Sequence, residues 1–181
     1  AKVDSNRRVG VSSKSSPLQH IISEEEQQAY QVQGNVTLVN GTGTAIHLLN
    51  TSTDKNIIVT FLRLQIIDPT ASVPEAATYA TIGYGTTVAS GGAAVTPRNM
   101  YVGHSNAAEA TATSGSTPIV TGGTDIEIDR WFPTADGDKN TFNKEGVLII
   151  PPQQSLNVSQ VSGTAGGALH ARVSFVMEAP G

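Results

Sequence analysis

The chain contains no cysteine, so it can form neither a disulfide framework nor a thiolate metal site. That absence fits a protein made in a reducing compartment. Aromatic residues make up 5% of the sequence and charged residues 14%, and Gly, Thr, Ser and Ala fill the difference. Such a mixture suits a β-rich fold with many turns and small surface side chains. No apolar run reaches the roughly 18 residues of a membrane-spanning helix, and no charged start leads into the apolar stretch of a signal peptide. The net charge of -4 argues against a nucleic-acid partner, which calls for a basic patch or stripe. Ala1 is the kind of small residue that follows a removed initiator Met, from which we expect cytoplasmic synthesis.

What the chain does have is a rhythm of short apolar segments and turns. With 181 residues, one domain is expected, large enough to bury a core without staples. The central stretch runs from Asn50 to Ile67. Asn50, Ser52, Asp54 and Asn56 are residues whose side chains bond nearby backbone and favour a tight reversal. From Ile57 to Ile67 nearly every residue is β-branched or bulky and apolar, interrupted by Thr60, Arg63 and Gln65. Apolar residues on both alternating faces predict a strand buried between two layers.

Around this stretch, Ala29 to Asn40 alternates Tyr30, Val32, Val36 and Leu38, with Gly34 expected to mark a bulge. Asn40-Gly41 is a hairpin signal, and Ala45 to Leu49 is the next expected strand. Thr78 to Tyr84, Asn99 to Val102, Glu109 to Thr113, Asp125 to Phe132, Val147 to Ile150 and Ser155 to Val161 are further strand candidates. Thr86 to Pro97, Gly115 to Gly123 and Ala135 to Lys144 look like loops. Ala168 to Met177 has the clearest pattern, with Leu169, Ala171, Val173, Phe175 and Met177 inward against His170, Arg172 and Ser174. Ser23 and Glu26 match a capping box for a short helical piece. Strands recurring every eight to twelve residues indicate an all-β antiparallel sandwich of jelly-roll type. It is expected to span residues 20–181 behind an extended N-terminal arm, residues 1–19. That arm is polar, serine-rich and basic, and alone it could not offset its ordering entropy. Such an arm is ordered either on its own domain or by another subunit.

Candidate chemistry is sparse. The histidines at 20, 47, 104 and 170 lie on separate elements without HxH or HExxH spacing, and His47 and His170 fit structural roles in strands. No serine sits in a GxSxG elbow. Asp125, Glu127 and Asp129 alternate and are expected to share one strand face, which reads more simply as a wet edge than as a glycosidase pair. Asp136, Asp138 and Asn140 have the one-three-five spacing of a calcium loop, but Thr141 replaces the expected glycine and Val147 the expected glutamate. They are weak metal candidates, and a solvated loop is the simpler reading. The glutamate run after Ser23 reads as a solvated acidic face. Gly41-Thr42-Gly43 and Gly83-Tyr84-Gly85 lack the following helix and lysine of a phosphate cradle. We therefore expect no enzyme activity and no cofactor.

The order of features resembles a family of tailed-bacteriophage virion proteins with one jelly-roll-like domain. The likeness runs through VDSNRRV, LQHIISEEEQQAY, IHLLNTSTDKNIIVTFLRL, TPRNMYVGHSNAAEATA and the closing GVLIIPPQQSLNVSQVSGTAGGALHARVSFVME. It implies a decoration or cement protein of the capsid surface, a homotrimer made in the host cytoplasm, with the major capsid protein as partner. Lys2, Arg7, Arg8 and Lys14 of the arm would then meet acidic surface on the capsid or a neighbouring copy. The alternatives are a tail or baseplate part, or a carbohydrate-binding sandwich displaying Tyr79, Tyr84, Tyr101 and Trp131. An enzyme would require His104 or His170 to converge with carboxylates.

Overall fold

The computed structural model describes residues 28–37, 41–67, 78–85, 87–115, 117–120, 126–132, 139–142, 148–162 and 168–179. All regular elements among them are strands. The first five are β1 (Ala29–Thr37), β2 (Gly41–Asn50), β3 (Asn56–Ile67), β4 (Thr78–Gly85) and β5 (Thr87–Ser90). Next come β6 (Ala93–Val95), β7 (Arg98–Asn99), β8 (Ala110–Ser114), β9 (Thr117–Val120) and β10 (Ile126–Trp131). β11 (Lys139–Phe142), β12 (Leu148–Ile150), β13 (Ser155–Ser162) and β14 (Ala168–Glu178) complete the set.

They form an antiparallel sandwich, as the strand rhythm predicts. One sheet, the β3 sheet, has the order β11-β3-β14-β1-β7, with β12 also paired to β3. The other, the β13 sheet, has the order β10-β4-β13-β2-β8-β6, and β5 pairs with β9 apart from both. Successive long strands alternate between the sheets, so each of β1 to β4 lies in a different sheet from the strand before it. The Asn40-Gly41 hairpin expectation fails for this reason. β1 pairs with β14 and β7 while β2 pairs with β13 and β8, so the chain crosses between layers there instead of folding back on itself.

Between the layers lies one apolar core. β3 contributes Ile57, Val59, Leu62, Leu64 and Ile66, and β14 contributes Leu169, Ala171, Val173, Phe175 and Met177. Ile46, Leu48, Ile82, Leu156 and Val158 face them from the β13 sheet. Burying each of the larger side chains stabilises the fold by roughly 1.5–3 kcal/mol. The inward set predicted for β14 is the one observed. β3 departs from its predicted pattern, because only its inner face is fully buried and Ile58, Phe61, Arg63 and Gln65 are half-exposed. A bulge at Thr60 shifts its phase, since Ser174 pairs with Phe61 and Phe175 with Val59. Thr60 Oγ1 donates to Ser174 O at 3.1 Å at that point.

Gly34 marks no bulge, because the β1–β14 register runs through it without a shift. Its reason is close approach: a Cβ there would stand 2.3 Å from the backbone oxygen of Ala45 on β2. Thr86 to Pro97, expected as a loop, contains β5 and β6 around a Gly91-Gly92 turn with φ of 70° and 72°. The loop expectation for Gly115 to Gly123 likewise gives way to β9, and that for Ala135 to Lys144 to β11. Short Thr/Ala/Ser strands carry little apolar alternation, which hides them. The expected strand from Asn99 to Val102 shrinks to Arg98–Asn99, after which Met100 to Gly103 bend and turn.

Candidate functional site

β10 is the outermost strand of the β13 sheet and pairs only with β4 among the described residues. Glu127 stands opposite Gly83, but Asp129 stands opposite Ile82, because Ile128 is an extra residue in a bulge. Adjacent residues of β4 point to opposite faces. Glu127 and Asp129 therefore do not share a face, which corrects the alternation expected for them; Asp125 lies outside the described residues. Glu127 instead shares the outer face with Arg130, which donates to its two carboxylate oxygens at 2.8 Å each.

The inner face of this margin carries Asp129, opposite the core residue Ile82, and its other residues are apolar and partly exposed. Tyr84 and Ile126 pair across the strands on the same side as the core residue Ile82, yet they are 40% and 46% exposed. Off that face, the bulge residue Ile128 is 39% exposed and Phe132, next to Trp131, is 43% exposed. Trp131, also inward, packs against the core as a partly buried residue. Among the described residues, the margin thus combines an unpaired strand edge, a charged pair on the outer face and four partly exposed apolar side chains. Natural sheets blunt such edges with charge and bulges, and β10 carries both. Sequence reasoning placed Ile126 and Ile128 on a strand but missed their exposure. The interleaved Glu127, Asp129 and Arg130 are the edge signal that was legible.

The corner between β2 and β3 is built differently. Asn50 is fully buried, and its Nδ2 donates to Lys55 O at 2.8 Å and to Ile150 O at 2.9 Å. Its Oδ1 accepts from Ser52 N at 3.0 Å. Ser52 Oγ donates to Glu109 Oε2 at 2.8 Å and accepts from Lys55 N at 3.2 Å. Lys55 completes the network with an ion pair to Glu109. The bond with Lys55 and then that with Ser52 hold the Glu109 carboxyl below its ordinary range, and the Glu109 bond raises Lys55. Nearby, Tyr30 donates to Ala107 O at 3.3 Å, and burial pushes its phenol up.

The remaining sequence candidates are scattered. His47 is buried on the outer side of β2, opposite Asn157. His104 packs edge-on to Tyr101 at 5.8 Å and accepts from Asn106 N at 3.5 Å through Nδ1. His170 lies half-exposed on the outer face of β14. Beside His104, Val102 is 95% exposed at the tip of the Met100 to Gly103 turn. Asn140 takes a strand position opposite Leu64, while Asp136 and Asp138 lie outside the described residues. No cluster of three metal-ligating residues occurs among the described residues. Lys2, Arg7, Arg8 and Lys14, His20 and the Ser23–Glu26 box also fall outside them. Tyr101 is exposed on a loop well removed in sequence from Tyr84, and the Tyr79 side chain is not among those described.

Compared with protein-family models, with curated proteins and with solved structures, the chain matches none.

Proposed function

We propose that the protein is a non-enzymatic structural subunit of a tailed-phage virion. It decorates and stabilises the capsid surface through contacts between its own copies and through its N-terminal arm. The observation that carries this reading is the open β10 margin, where Tyr84, Ile126, Ile128 and Phe132 stay exposed beside an unpaired strand edge. A second copy would cover that strip, and a closed ring of three copies is the assembly we assign. Strand order supports a jelly-roll sandwich as the scaffold, since β14 inserts between β1 and β3 while β13 inserts between β2 and β4. Repeated copies on a lattice would add avidity to the weaker contacts of Lys2, Arg7, Arg8 and Lys14.

The experiment is a binding assay on expanded capsids with the full chain and with a chain lacking residues 1–19. Deletion should abolish attachment while leaving the domain folded. Attachment that survives the deletion would reject the arm's role.

A further inference from the structure

The outer face of the β3 sheet carries a trough of ≈ 450 Å³ across β1, β14 and β3. Two rows of side chains lie across it. In the first, Gln33 stands opposite Arg172, which stands opposite Arg63. In the second, Asn35 stands opposite His170, which stands opposite Gln65. Two arginines directly opposed on neighbouring strands are unfavourable without an intervening anion. Among the described residues, no carboxylate lines the trough. Arg63 donates to Gln65 Oε1 at 3.3 Å and Arg172 donates to Gln31 Oε1, both neutral amides. This concentration of cations stands in a chain whose net charge is -4.

We propose that this trough binds an acidic saccharide. The guanidinium forks of Arg63 and Arg172 match carboxylate geometry, and an acidic sugar's carboxylate would replace the neutral amide that each now holds. Gln33, Asn35 and Gln65 each offer a donor and an acceptor, as sugar hydroxyls require. The trough volume falls within the range of small-ligand sites. An acidic peptide fits less well. β14 and β3 are already paired on both sides; on the far side of β1, β7 takes Tyr30 and Gln31 and Ser114 Oγ bonds the Asn35 N–H and carbonyl, so the edge left at Gln33 is too short for a peptide strand. The lining also lacks a large apolar side chain that would anchor a peptide residue.

The test is calorimetric titration of the full chain with a galacturonic-acid tetramer, a neutral maltotetraose and tetraglutamate. The acidic sugar should bind, more weakly as salt rises, and neither of the others should match it. Arg63→Gln and Arg172→Gln should each weaken binding by roughly tenfold or more. Neither should lower the thermal midpoint, because each removes a like-charge contact; a structural role for these arginines would lower it. Arg130→Gln, on the other sheet, should leave binding unchanged. No binding of the galacturonate, equal binding of the neutral sugar, tighter binding of tetraglutamate or indifference to both arginine variants would each overturn the proposal.

Discussion

The β2–β3 corner and the β10 margin are both places where a sheet stops, and the chain finishes them in opposite ways. At the corner, Asn50 is fully buried and its side chain makes three hydrogen bonds to backbone. Its own backbone N–H donates to Gln154 O and its carbonyl accepts from Gln153 N, each at 3.0 Å. The margin is different, because Tyr84 and Ile126 sit on the core side of their sheet yet are 40% and 46% exposed. The corner is completed by its own chain, whereas the margin keeps apolar surface exposed. A polar network is closed where its groups are buried, whereas exposed apolar residues clustered at a sheet margin make a candidate association surface.

Breaking the corner should have the largest effect on folding. Asn50→Ala removes two buried donors and one acceptor, leaving Lys55 O and Ile150 O without them, and should cost about 3 kcal/mol in urea unfolding. Close behind comes Gly34→Ala, which drives a Cβ towards the Ala45 oxygen where β1 and β2 cross. The contact is with backbone and cannot swing away, so a loss of about 2 kcal/mol is expected. At the margin the same measurement should change little. Ile128→Glu should shift unfolding of the monomer by less than about 0.5 kcal/mol, as an exposed substitution does, while weakening self-association.

The smallest effect belongs to the Lys55–Glu109 pair. Glu109 has a lowered pKa in the fold, so its contribution is present above its unfolded value and is lost as pH falls through the folded one. Lys55 is raised, so its contribution is present below its unfolded value and is lost as pH rises through the folded one. The pair therefore acts between the carboxylate and lysine ranges. Both side chains are partly exposed and screened by solvent. Glu109→Gln should cost no more than about 1 kcal/mol near neutral pH, with the difference from the unsubstituted chain vanishing in acid.

The same contrast explains what could be read from the sequence. The turn at Asn50 was legible because Asn, Ser and Asp act on backbone only a few residues away. β14 was legible because five inward residues alternate without interruption. The partnership of β1 with β14, and not with β2, rests on pairing across more than a hundred residues, and a local Asn-Gly signal says nothing about it. The bulges at Thr60 and Ile128 each shift a strand's phase, which no alternation count can anticipate. Arg63 and Arg172 look like two ordinary outward residues until the register sets them face to face. Exposure at Ile126 and Ile128 depends on how far the opposite sheet extends, which is a property of the whole sandwich.

The most direct test is sedimentation equilibrium of the intact chain beside an Ile126→Glu/Ile128→Glu variant, with thermal unfolding of both followed in parallel. The account predicts that the intact chain assembles into three copies, and that the variant sediments as a folded single chain. An intact chain that stays single at high concentration, or a variant that assembles as well as the original, would contradict it.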